Sequence, residues 1–177
     1  MTRQSTGAFS RPSLPDSLAF RRDCHARASV NSAPCELILI AGASHLRVAF
    51  RREDGQDLGE VRCDGLVVST PAGSTGYNLA NGGPVLAWGV EGFVVSFIAP
   101  HTLTARSLVV GPGDLLELTN RSSTEEVELT TDGRPEAVVA PGESVTVSLR
   151  RDSVLLAQRP GTTFYGRLRE KFGRLAY

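Results

Sequence analysis

The residues of this 177-residue chain whose types and spacing could do chemistry cluster in one run, Asp64 to Pro84, reading DGLVVSTPAGSTGYNLANGGP. Gly73 and Gly76 let a backbone approach a ligand with no Cβ in the way. Ser74 and Thr75 offer hydroxyls that both donate and accept. Tyr77 adds a flat ring with a polar tip, suited to stacking on an aromatic base. Together these are the means to hold ribose and phosphate oxygens and a base without forming a covalent bond. The same residues also fit a tight strand-to-helix turn with Ser74 as N-cap. The succession of small and hydroxyl residues, closed by Gly82, Gly83 and Pro84 as a turn, favours the ligand cradle over a bare turn.

Such a loop needs elements to hold it. Leu66, Val67 and Val68 form a short, β-branched apolar run that suits a strand covered on both faces, and Pro71 must leave the ladder. From Glu36 onward, short strands are expected at Leu37 to Ile40, Leu46 to Phe50, Leu66 to Ser69, Phe93 to Ile98, Leu115 to Thr119, Val127 to Thr131, Ala137 to Val139, Val145 to Leu149 and Val154 to Ala157. Glu53-Asp54-Gly55 and Asp132-Gly133 are hairpin candidates. A helix is expected over about 163–172, where Phe164, Leu168 and Phe172 recur on one face. The fold class implied is mainly β: a layered, sandwich-like domain of many short strands with a C-terminal helix. Residues 1–34 are polar and lack sustained periodicity, and are expected to be a flexible or unrelated segment ahead of a β domain over 35–177.

Composition narrows the functional class. The chain is long enough for one domain with a real core, and its 41% hydrophobic and 21% charged residues are ordinary for a soluble globular protein. Formal net charge is zero, so no global field draws it to nucleic acid or to an anionic membrane surface. No apolar run reaches the length of a membrane span and no secretory signal is evident, which points to the cytoplasm. Cys24, Cys35 and Cys63 are an odd set without metal-ligand spacing, so neither a disulfide framework nor a metal site is expected.

At Asp64 to Pro84 the sequence resembles the NAD kinase family, whose usual signature is Asp-Gly, a short apolar run, then STPTGSTAY and GGP. Phe97 to Arg106, FIAPHTLTAR, is similar to the family's Pro-His-(Ser/Thr)-Leu segment, Asp132-Gly133 to its Asp-Gly-Gln turn, and Phe164 to Tyr177 to its final helical segment. The resemblance spans about Ala33 to Tyr177 and implies phosphorylation of NAD at the adenosine 2′-hydroxyl, with ATP and a divalent metal such as magnesium, to give NADP. It also implies a homo-oligomer with shared sites. The family's N-terminal α/β half carries a Gly-Gly-Asp-Gly motif whose Asp is taken as general base. No such run occurs here, and Gly113-Asp114 reads as a turn before a strand. The resemblance therefore implies a truncated or rearranged chain with no catalytic and no metal-ligating residue of its own.

The substrate-binding residues carry over one by one. Asp64 matches the Asp that contacts substrate hydroxyls or the nicotinamide end, often from a neighbouring subunit; as a bare residue it is a turn former. Thr75, Gly76 and Tyr77 fall on Thr-Ala-Tyr, which holds the adenosine part, and Asn78 and Ala80 follow on the same turn. Ala72 and Ala80 stand where hydroxyl residues are usual, each removing a hydrogen bond worth on the order of 1 kcal/mol. Glu36 fits the Glu of the family's Asn-Glu pair, while Cys35 replaces its Asn and cannot both donate and accept as an amide does. His45 and Arg62 sit at polar contact positions or are ordinary surface residues. Ala99 resembles a small residue beside the adenine, His101 a brace for its loop, and Arg134 replaces the Gln of Asp-Gly-Gln, either pairing with a phosphate or lying exposed. Three outcomes stay open: half of a kinase, a non-catalytic NAD-binding or oligomerisation module, or a decayed fragment.

Overall fold

The computed structural model describes residues 18–22, 36–41, 46–52, 55–149 and 158–173. Among these, two antiparallel sheets carry the fold. A five-stranded sheet runs β1 (Leu18–Arg22), β11 (Ser144–Leu149), β8 (Leu115–Asn120), β3 (Leu46–Arg52), β4 (Asp57–Cys63). A six-stranded sheet runs β10 (Arg134–Val139), β9 (Val127–Thr131), β2 (Glu36–Ala41), β5 (Gly65–Ser69), β6 (Phe93–Ile98), β7 (Leu108–Val110). Period-two alternation decides what lies between them. Leu116, Leu118, Val145 and Val147 of one sheet meet Leu37, Leu39, Leu66, Val68, Phe93, Val95, Val127 and Leu129 of the other in one buried cluster. This is a β-sandwich, as expected.

The outer face of the six-stranded sheet is covered where β5 and β6 lie. Val67, Val94 and Ser96, which alternate with the core residues, are at most 1% exposed, because the 70–92 segment folds back over them with α1 (Tyr77–Ala80). Both faces of β5 are therefore dry, which is why its sequence is an unbroken apolar run rather than an alternating one. The chain crosses from the first sheet to the second through Asp64 alone, between β4 and β5. At the β9–β10 hairpin, Asp132 and Gly133 take φ values of 46° and 76°, the two positive angles of a type I′ turn closing the Thr131 to Arg134 pair. At the β3–β4 connection Gly55 has φ 83°, while Glu53 and Asp54 lie outside the described residues.

α2 (Phe164–Phe172) begins at Thr163, whose hydroxyl accepts from the Gly166 amide at 3.0 Å, and stops at Gly173 with φ 72°. Its apolar stripe is only partly covered. Leu168 is buried and Phe164 packs edge-on against Trp88 at 5.4 Å, but Phe172 is 49% exposed.

The sequence reading and the structure part at three strands. β4 carries Asp57, Glu60, Arg62 and Gly59, and as an edge strand exposed on most of its length it has no need of an apolar pattern. β7 is three residues long, below what periodicity resolves. β1 falls inside the segment expected to be without pattern, yet Leu18–Arg22 pairs with β11 residue for residue, Leu18 with Leu149 through Arg22 with Val145. The strand expected at Val154 to Ala157 lies outside the described residues.

Candidate functional site

The loop after β5 is organised around a carboxylate that comes from another strand. Glu36, at the start of β2, stands beside Ser69 at the end of β5 in the sheet register. Its Oε1 accepts from the Ser69 hydroxyl at 2.9 Å and from the Asn78 amide at 3.0 Å, and its Oε2 accepts from the Tyr77 amide at 3.4 Å. The first amides of α1 have no partner within the helix, so an acceptor here fixes where it begins. Glu36 is itself placed by Asp132: the Glu36 amide donates to Asp132 Oδ1 at 3.0 Å and the Asp132 amide donates to the Glu36 carbonyl at 3.0 Å. The hairpin turn at Asp132-Gly133 thus positions the carboxylate that positions Tyr77 and Asn78.

The interior of the loop is polar and closed. The Ser74 hydroxyl, fully buried, donates to the Pro71 carbonyl at 2.8 Å and accepts from the Leu86 amide at 2.9 Å. It caps no helix, so the N-cap reading of Ser74 gives way to a cross-loop tie. Asn78, also fully buried, donates from Nδ2 to the Ser74 carbonyl at 2.9 Å and the Pro84 carbonyl at 3.0 Å, and its Oδ1 has no hydrogen-bond partner. Gly83 is where it is for steric reasons: a Cβ there would lie 1.9 Å from Asn78 Oδ1. Gly76 is less constrained, since an added Cβ would meet the Gly73 carbonyl oxygen at 3.1 Å and Glu36 Oε2 at 3.4 Å. Tyr77 projects outward, 41% exposed, Thr75 and Ala72 are half-buried, and Ala80 is exposed. This face carries a ring and a hydroxyl, with the Asn78 side chain behind it rather than on it. Sequence reasoning missed Asn81, whose Nδ2 donates to the Phe97 carbonyl at 2.9 Å and the Ser96 hydroxyl at 3.3 Å, tying α1 down on β6. A polar residue directly after a short apolar turn was the available signal.

A second group forms at the far end of β5. Asp64 Oδ1 and His101 Nε2 are 3.2 Å apart, the Asp64 amide donates to the Ile98 carbonyl, and the His101 amide donates to the Arg62 carbonyl at 2.8 Å. His101 therefore braces its loop, as expected. Ala99 sits between these bonds at φ 44°, a left-handed angle that a non-glycine residue seldom takes. Arg62 and Arg134 are exposed, and Arg134 opens β10 beside the Asp132-Gly133 turn. His45 and Cys35 lie outside the described residues.

The expected site residues thus fall into two groups that one ligand group cannot touch together. Ser69 lies five residue steps beyond Asp64, and at about 3.3 Å per strand residue that is roughly 17 Å. A ligand contacting both ends either runs the length of β5 or takes one end from a second copy of the chain. Among the described residues no three His, Cys, Asp or Glu side chains come together to hold a metal ion, and no helix is long and apolar enough to cross a membrane. Cys63, at the end of β4, is fully buried, and burial, helped by the nearby Asp64 charge, pushes its thiol from about 9.0 up to about 12 against a lowering backbone hydrogen bond at Gly65. It is a core thiol, not a nucleophile.

The family model for the ATP-NAD kinase C-terminal domain matches residues 38–158. An NAD kinase of Gemmatimonas aurantiaca is 41% identical over 122 residues, 68% of this chain and 42% of that protein, and one of Rhodopirellula baltica is 41% identical over 120 residues, 68% of this chain and 39% of that protein. The chain spans about 42% of the length of the first of these relatives. Among solved structures, yeast NADH kinase complexed with NADH superposes with a TM-score of 0.82 at 20% identity, over 94% of this chain and 50% of that one. An NAD kinase from Archaeoglobus fulgidus in complex with ATP gives a TM-score of 0.68 at 26% identity, over 93% and 60%. The match to the C-terminal domain model over residues 38–158, with these relatives, places this chain in the NAD kinase family, as a carrier of its C-terminal domain.

Proposed function

We propose that this chain supplies the NAD-binding half of an NAD kinase, holding the dinucleotide while ATP phosphorylates its adenosine 2′-hydroxyl to give NADP. The observation that carries the reading is the loop pinned by Glu36: the Tyr77 ring is 41% exposed and Thr75 is half-buried beside it, while Ser74 and Asn78 are spent inside on rigidity. A loop whose shape is fixed before the ligand arrives loses little entropy on binding. In this reading Tyr77 stacks on the adenine, Thr75 meets the ribose, and Ala72 and Ala80 leave room without adding hydrogen bonds. Asp64 and Ala99, at the other end of β5, meet the ligand from a second copy, which makes the working unit a homo-oligomer in the cytoplasm.

These 177 residues contain no Gly-Gly-Asp-Gly run, so the proton on the 2′-hydroxyl is taken by a base outside them. In this reading the donor site and the magnesium that accompanies ATP are also supplied from outside these residues. A coupled assay for NADP from NAD and ATP tests this in two arms. The chain alone is expected to form no product above background while binding NAD by calorimetry. Supplied with an N-terminal half from a related NAD kinase as a separate chain, it is expected to turn over. NAD binding without turnover in either arm favours the alternative of a non-catalytic NAD-binding module. No NAD binding at all removes the proposal.

A further inference from the structure

α1 is a single turn, Tyr77–Ala80, too short to hold itself in helical form. Side chains fix both of its ends. Glu36 holds the first amides, and at the far end Asn81 Nδ2 donates to the Phe97 carbonyl at 2.9 Å and the Ser96 hydroxyl at 3.3 Å. The residue after Asn81 is Gly82, which makes the chain's one Asn-Gly pair. Asn-Gly is the dipeptide in which a backbone nitrogen most readily attacks the preceding side-chain amide, because glycine puts no side chain over that nitrogen. Gly82 is exposed, at φ 77°, with open space on the side where a Cβ would lie. The folded loop nonetheless blocks the attack. The Gly82 N–H donates to the Leu79 carbonyl at 3.0 Å, and the Asn81 side-chain nitrogen that must leave is held by its two acceptors. Asn81 ψ, 7°, sets the Gly82 nitrogen in line with the Asn81 backbone nitrogen rather than with Cβ. Ring closure needs each of these undone, which requires α1 to lift from β6.

We propose that Asn81 is a modification site gated by loop opening: when α1 lifts, Asn81 deamidates, and the product no longer ties α1 to β6. The Gly82 nitrogen attacks Asn81 Cγ and a C–N bond forms. The Cγ–Nδ2 bond breaks, the Gly82 amide proton leaves with the Nδ2 group as ammonia, and a five-membered succinimide remains. Water then adds to one of the two imide carbonyls and opens the ring to Asp, or to isoaspartate with the backbone rerouted through Cβ and Cγ. No oxidant or reductant takes part. The Asp product sets a carboxylate, which only accepts, against the Phe97 carbonyl, which also only accepts. The isoaspartate lengthens the backbone two residues ahead of Gly83, which is packed so closely on Asn78 that an added Cβ would lie 1.9 Å from Oδ1. Either product leaves the C-terminal end of α1 without its tie to β6, so a transient opening becomes a lasting one. Nothing in this step calls on a bound dinucleotide.

The test is peptide mapping by mass spectrometry of the full chain aged at mildly alkaline pH, folded in buffer and unfolded in urea. Unfolded, Asn81 is expected to convert to Asp and isoaspartate ahead of the chain's other asparagines. Folded, its conversion is expected to be at least about tenfold slower, in proportion to the small open population of the loop. Glu36→Ala, which frees the other end of α1, is expected to raise the folded-state rate by about tenfold. Asn81→Asp, the chemical product itself, is expected to speed hydrogen exchange at the amides of residues 81 and 82 by about tenfold or more, a readout that stands even where Glu36→Ala does not fold. Equal rates in the folded and unfolded chain, no conversion at Asn81 in urea, a folded-state rate unmoved in a folded Glu36→Ala, or unchanged exchange in Asn81→Asp each overturns the proposal.

Discussion

Replacing Gly83 with Ala isolates one contact at the centre of the loop. Gly83 does not have a positive φ, so Ala brings no backbone strain and its whole effect is the added Cβ. That atom would lie 1.9 Å from Asn78 Oδ1 and 2.6 Å from Cγ, so the amide must move. Moving it breaks two hydrogen bonds, Nδ2 to the Ser74 carbonyl and Nδ2 to the Pro84 carbonyl. With about 1–3 kcal/mol for each buried group left unpaired, plus local overpacking, the cost is about 3–5 kcal/mol. A domain of this size loses about 2–4 °C in melting temperature per kcal/mol, giving a fall on the order of 10 °C. Asn78→Ala breaks the same two bonds and is expected to cost about 2–4 kcal/mol. In the double variant the clash has no partner, so its stability is expected to match that of Asn78→Ala alone, a coupling equal in size to the Gly83→Ala cost, about 3–5 kcal/mol. Urea melts of the four proteins measure it. Additivity within about 0.5 kcal/mol would falsify the steric account, because independent sites add.

Three further outcomes follow from the same region and from the core. Glu36→Ala is expected to speed hydrogen exchange at the Tyr77 and Asn78 amides by at least about tenfold, with Glu36→Gln intermediate because it keeps one acceptor oxygen; unchanged exchange at both amides would remove Glu36 from its organising role. Ser74→Ala leaves the buried Leu86 amide without its acceptor and is expected to cost about 1–3 kcal/mol by denaturant melt, an effect that a surface serine would not produce. Cys63 has a folded-state pKa raised from about 9.0 to about 12, so between those values the unfolded chain has lost the proton and the folded chain keeps it. Stability contributed by the protonated thiol is therefore full below pH 9 and lost as pH rises toward 12, at up to about 1.4 kcal/mol per pH unit. Cys63→Ala is expected to flatten that part of the alkaline stability profile, and the same slope in variant and parent would contradict the assignment.

Much of this architecture was legible in one dimension. The strands at Phe93–Ile98 and Val127–Thr131 have the bounds that their apolar runs indicate, and Asp132-Gly133 forms the two-residue hairpin that its composition calls for. These features are local, set by side-chain period and by which residues tolerate positive φ. β4 was not legible, because an exposed edge strand is held by backbone pairing with β3, and that leaves no trace in the pattern of side chains. The same is true of β1, whose pairing partner β11 lies more than a hundred residues away.

The candidate site divides in the same way. Residue types alone marked the loop within the Asp64 to Pro84 run as a polar segment with the means to hold a ligand, because hydroxyls, glycines and a tyrosine have those capacities wherever they stand. Which of them face outward was a tertiary decision. Burial turned Asn78 and Ser74 inward to satisfy loop carbonyls and amides, the sheet register brought Glu36 from β2 to the start of α1, and the length of β5 placed Asp64 roughly 17 Å from that point. Hydrogen-bond satisfaction in a dry interior depends on what the whole fold brings within 3 Å, and sequence spacing does not carry that information.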